Sequence, residues 1–118
     1  MPSLPKTLNI NGIPYRLIQH KGKMLPNNEG HPWLGLTDNT AQQIQLAMEQ
    51  KPHTVGETLL HELMHVSCYN ASLRYGIPGF NHETEEFIVD SVSRNLFGIL
   101  ISNPKVLEYL LGVSRSKV

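Results

Sequence analysis

Thr58-Leu59-Leu60-His61-Glu62-Leu63-Met64-His65-Val66 sets two imidazoles and a carboxylate on a helix-forming, apolar background. Residues four apart on a helix lie one above the other, so His61 and His65 project from one face and their rings can share one metal ion. Glu62 stands about 100° round from His61, near that face. Leu59, Leu60, Leu63, Met64 and Val66 surround the trio, as in a helix buried within a domain. Histidines in such surroundings need partners for both ring nitrogens. Two neutral imidazoles suit Zn²⁺, and a carboxylate beside an open coordination position can take a proton from water held there, the chemistry that the H-E-x-x-H spacing serves. The plain alternative is a pair of core histidines brought to this spacing by chance. Upstream context argues for the metal: Thr54-Val55-Gly56-Glu57 has the S/T-x-x-E form of a capping box, predicting a helix that begins shortly before His61 and runs to about Leu73.

The rest of the chain bounds the setting. With 118 residues, 40% hydrophobic and 17% charged, one globular domain over residues 1–118 is expected. Ten basic and ten acidic residues cancel, which leaves no electrostatic footprint for nucleic acid or an anionic membrane. The single cysteine, Cys68, excludes internal disulfides, and Met1-Pro2-Ser3-Leu4-Pro5-Lys6 lacks the apolar core of a signal peptide, so a cytoplasmic location is expected. No apolar run approaches the roughly 18 residues of a membrane span.

Along the chain, residues 7–10 and 13–19 alternate around Asn11-Gly12 and predict a hairpin, with Pro14 at a strand start or edge. Residues 20–32 are rich in Lys, Gly, Asn and Pro and predict a surface loop. Residues 33–37 and 43–48 predict a second hairpin, with Ile44, Leu46 and Met48 inward and Gln43 and Gln45 outward. After the histidine helix, residues 75–81 reverse the chain. Asn81 can cap a second helix to about Ser102, and Glu83, Glu85 and Glu86 suit its positive end. Asn103-Pro104 predicts a third, short helix, with Asn103 as cap, Gly112 as stop and residues 114–118 as a frayed end. Strands first and helices second imply an α+β domain: a small, mostly antiparallel sheet packed against the zinc helix and a second helix, plus a short C-terminal helix.

Catalytic zinc sites take three protein ligands, and Glu83, Glu85, Glu86, His82 and Cys68 all compete for the third place. A helical wheel centres the apolar stripe of Val89, Val92, Leu96 and Leu100 near Glu85 and leaves Glu86 at its edge. The pairing of His61-Glu62-Leu63-Met64-His65 with Glu86-Phe87-Ile88-Val89-Asp90 about twenty residues on resembles the gluzincin metallopeptidases. More closely, residues 35–104 are similar to minimal gluzincin-type proteins of phages and bacteria, relatives of the phage peptidases that cleave immunity repressors. The resemblance implies a zincin-like fold, Glu86 as the third zinc ligand and Asp90 as the carboxylate that holds His61. It also implies a Tyr or His that stabilises the oxyanion, for which Tyr69, Tyr75 and His82 are candidates.

The expected function is zinc-dependent hydrolysis of a peptide bond in a protein or peptide substrate, with Glu62 as general base and His61, His65 and Glu86 on the metal. The alternative is a non-catalytic, zinc-stabilised binding module on the same scaffold. Because residues 43–48 lead through Lys51-Pro52-His53 almost directly into the zinc helix, that strand should border the metal. As a sheet edge it would offer its free N–H and C=O groups to an extended peptide.

Overall fold

The computed structural model describes residues 3–22, Met24 and residues 33–116. Most of the expected loop at 20–32, together with Lys117 and Val118, lies outside the described residues. Strands β1 (Thr7–Ile10) and β2 (Ile13–His20) form the first hairpin. Asn11 (φ 52°) and Gly12 (φ 89°) supply the two positive φ values that a tight turn between right-twisted strands requires. Pro14 sits near the start of β2, and pairing on that strand's other side begins only at Arg16, so its missing N–H costs no bond there. Strands β3 (Gly35–Asp38) and β4 (Gln43–Ala47) form the second hairpin. Trp33, expected to open β3, instead donates its N–H to the carbonyl of Met24 at 2.6 Å.

The hairpins join through parallel pairing of β2 with β4, giving the strand order β1-β2-β4-β3. The sheet is therefore mixed but mostly antiparallel, as expected: both hairpin pairings are antiparallel and only the one that joins them is parallel. The same order removes the possibility that strand 43–48 is a free edge: β4 is paired on both sides, and among the described residues the edges are β1 and β3. Alternation could not have distinguished the two, because it reports which side chains face the core and is silent on how many neighbours the backbone has. The inward face of β4 is as expected, with Ile44 and Leu46 fully buried.

Helix α1 (Pro52–Asn70) follows β4 after four residues. It begins ahead of the expected capping box because Pro52, with its ring-fixed φ, occupies the first turn. Thr54 and Glu57 lie inside the helix, and the Lys51 side chain makes no cap bond. Glu57 faces Arg94 Nε at 3.4 Å instead. The helix ends at Asn70, short of Leu73, where Ser72 (φ 55°) turns the chain into the single turn α2 (Leu73–Gly76). Helix α3 (His82–Ser102) is capped as expected, Asn81 Oδ1 accepting the Thr84 N–H at 2.9 Å. Helix α4 (Pro104–Ser116) starts at the expected proline but passes through Gly112 without stopping, and residues 114–116 continue the helix instead of fraying. The side-chain amide of Asn103 donates back to the Ile99 carbonyl at 2.8 Å, closing α3.

The layers also differ from expectation. Tyr15, Leu17, Ile44 and Leu46 from the sheet enclose a core with Val55 and Val66 of α1, against which Leu59 and Leu63 pack. α1 lies between the sheet and α3, and among the described residues α3 packs on α1 and α4 but on no strand. Only one helix covers the sheet. This explains why apolar residues surround the H-E-x-x-H segment on nearly every side: α1 is the middle layer. At Gly56 a Cβ would stand 3.1 Å from Phe97 Cε1, so the absence of a side chain there lets α1 and α3 approach. Among the described residues no single helix is long and apolar enough to cross a membrane.

Candidate metal centre

α1 presents His61 and His65 one turn apart, and α3 brings Glu86 opposite them. One ligating atom from each of the three lies within 4.8 Å of the other two. Glu86 Oε1 is 2.9 Å from His65 Nε2, and Glu86 Oε2 is 4.0 Å from His61 Nε2. The far nitrogen of each ring has its own carboxylate: His65 Nδ1 meets Glu85 Oε2 at 2.7 Å, and His61 Nδ1 meets Asp90 Oδ1 at 3.2 Å. A carboxylate only accepts, so an ion held by the two Nε2 atoms would leave each Nδ1 with its proton and a carboxylate to receive it. The arrangement fits a divalent cation, and two imidazoles with one carboxylate suit zinc.

The two supporting carboxylates differ. Glu85 is 5% exposed, beneath the wheel-predicted stripe with Val89 and Ser93, and its second oxygen accepts from Arg74 Nε of α2 at 3.3 Å. The Asp90 side chain is 57% exposed. The wheel argument thus identified the buried glutamate correctly, and the structure gives that burial to the carboxylate behind His65 while Glu86 reaches the cluster.

Glu62 is buried, with Oε2 4.0 Å from His61 Nε2. The hydroxyl of Thr37 on β3 donates to its Oε1 at 2.7 Å. Burial pushes the Glu62 carboxyl above its ordinary value, while the Thr37 bond and the two imidazoles pull it down. Gly35, also on β3, lies against the same side chain: a Cβ there would come within 2.8 Å of Thr58 Cγ2 and 3.0 Å of Glu62 Oε2. The edge strand therefore reaches Glu62 only because residue 35 lacks a side chain.

A groove follows β3 past these groups. One lobe, about 360 Å³, is lined by Leu34, Glu57, Asp90 and Arg94 among others, and a second, about 520 Å³, by Thr37, Arg74, His82 and Glu85. Trp33, Gly35, His61, Glu62 and Glu86 line both lobes, so the cluster occupies the middle of the groove. Of the three residues considered for stabilising an oxyanion, His82 lines the groove, whereas Tyr69 and Tyr75 line a separate cavity with Cys68. Cys68 is buried and is not among the clustered ligating atoms. Burial, and secondarily the charge of Glu85, push its thiol above the ordinary value of 9.0 against the pull of Arg74.

Thr37, Gly35 and Arg74 went unrecognised in the sequence. Nothing local marks Thr37 or Arg74, whose partners are 25 and 11 residues away. Gly35, a glycine inside a strand pattern, carried the one available signal, since such residues mark close approach of another group. Comparison with protein-family models, with curated proteins and with solved structures found no match.

Proposed function

We propose that the protein is a zinc-dependent peptidase in which His61, His65 and Glu86 hold the ion and Glu62 is the general base. The observation that carries this reading is the pairing of two carboxylate-backed imidazoles with a buried, hydrogen-bonded glutamate beside them, midway along an open groove. A zinc ion held by His61, His65 and Glu86 would supply Lewis acidity, polarising a scissile carbonyl and acidifying water. Glu62 would then take a proton from water and pass it to the leaving amine. Thr37 fixes one Glu62 oxygen and leaves the other to move the proton. Asp90 and Glu85 face the Nδ1 atoms and would favour the tautomers in which Nε2 can ligate.

The substrate on this reading is an extended segment of protein or peptide lying along β3. Among the described residues that strand has a neighbour on one side only, and its residues Gly35, Leu36 and Thr37 line the groove, so a peptide can add to the sheet there with its backbone beside the clustered ligands. On this reading His82, which lines the groove, is the residue assigned to donate to the developing oxyanion. Glu62→Gln tests the reading. The variant should bind one zinc per chain with unchanged affinity while hydrolysis of denatured-protein or peptide-library substrates drops by roughly 10³-fold or more. A parent protein that binds zinc but cleaves no peptide in such a library would support the zinc-stabilised binding module instead.

A further inference from the structure

α4 has little of the molecule around it. It leaves α3 at 92°, and among the described residues its backbone packs against no other element. Val106, Leu107, Tyr109 and Leu110 are between 40% and 71% exposed, and their positions place them on one broad side of the helix, away from Lys105 and Glu108. Ile99 and Ile101 at the end of α3 are half-exposed, and because they stand about 200° apart on that helix one of them extends the apolar surface into the corner. An isolated helix of 13 residues is marginal in water, so α4 gains much of its stability only when this face is covered.

We propose that a second copy of the chain covers it, forming a two-fold dimer in which α4 and the end of α3 pack against their counterparts. The exposed parts of the five apolar side chains that share this surface amount to on the order of 500 Å², below the roughly 800 Å² per partner of a standard stable interface, which fits a dimer that dissociates on dilution. An uncharged apolar face is complementary to its own copy in an isologous contact. The formal charge of zero means that two copies do not repel at neutral pH. α3 and α4 together have the length and composition of a membrane span, but the bend of 92° between them does not fit a straight crossing. The dimer interface is independent of the metal chemistry.

Light scattering on the eluting full-length protein, across a dilution series in the micromolar range, tests this directly. A mass twice the 13.3 kDa of the chain, falling toward the monomer on dilution, is expected. Leu110→Glu and, separately, Val106→Lys should weaken association by roughly 100-fold, because each buries an unpaired charge in the interface. Zinc binding and helical circular dichroism should be retained in at least one of the two variants. A parent protein that is monomeric throughout the series overturns the proposal, as does a dimer that persists in both folded variants. Flotation of monomeric protein with neutral phosphatidylcholine vesicles would overturn it in favour of a lipid surface.

Discussion

The two imidazoles at the centre are mounted in different ways. His65 is held by Glu85 at 2.7 Å, a buried carboxylate itself held by Arg74. His61 is held by Asp90 at 3.2 Å, and Asp90 stands mostly in solvent with no second residue behind it among the bonds and ion pairs of the described residues. One mount is a buried charged relay that fixes its ring before any ion arrives. The other is a single exposed contact in competition with water. A buried, hydrogen-bonded carboxylate orients a ligand at high cost if broken, whereas an exposed one adds little. The structure thus has a rigid half, anchored through α2 and α3, and an adjustable half open to the groove.

Glu85→Ala should produce the largest effect. Removing the buried acceptor leaves His65 Nδ1 and Arg74 without it, and zinc affinity should fall by roughly 100-fold. The metal-free protein should also lose about 1–2 kcal/mol of stability to urea, the cost of leaving buried His65 Nδ1 without its acceptor, since half-exposed Arg74 turns to water. Asp90→Ala should weaken zinc by about tenfold at most and leave metal-free stability within about 0.5 kcal/mol of the parent. Competition with a chromogenic chelator measures both affinities. Equal losses in the two variants would break the distinction between the mounts.

The smallest effect uses Cys68 as a reporter behind the rigid half. Its thiol is raised by burial and by Glu85 and lowered by Arg74, so Glu85→Gln should move the midpoint of alkylation to lower pH and Arg74→Met to higher pH, while Asp90→Asn leaves it in place. In the parent, a thiol raised in the folded state contributes stability that is complete below its ordinary value of 9.0 and is lost as pH climbs through the folded value. A shift in the Asp90 variant as large as in the other two would show that Cys68 senses the whole cluster and not one side of it.

What the sequence disclosed follows from what each signal physically measures. The four-residue spacing of His61 and His65 is a property of one helix, so it could be read directly. The same holds for the Asn11-Gly12 turn, the Asn81 cap and the Pro104 helix start. The resemblance placed Glu86 and Asp90 opposite the histidines, and the wheel found Glu85 beneath them. The strand order could not be read, since joining two hairpins in parallel through β2 and β4 is decided by long-range pairing that leaves no periodic mark. With it went the identity of the edge strand, and so the roles of Gly35 and Thr37 beside Glu62. The start of α1 was misjudged because a capping-box pattern at Thr54 and a proline at residue 52 both signal a helix start, and the proline lies earlier in the chain.

Gly56 gives the centre a property beyond affinity. Two ligands stand on α1 and the third on α3, and the separation of these helices is set near one end by bare backbone at Gly56 against the ring of Phe97. The bite of the site is therefore gauged by a contact that no ligand makes. A methyl group at residue 56 would act as a shim at that contact, so that either the Phe97 ring gives way or the helices part by tenths of an ångström, and in the second case Glu86 draws away from His61 and His65 with all three residues unchanged. The geometry of the cluster is in part a matter of spacing between two rods, written at a glycine about one and a half turns away from His61.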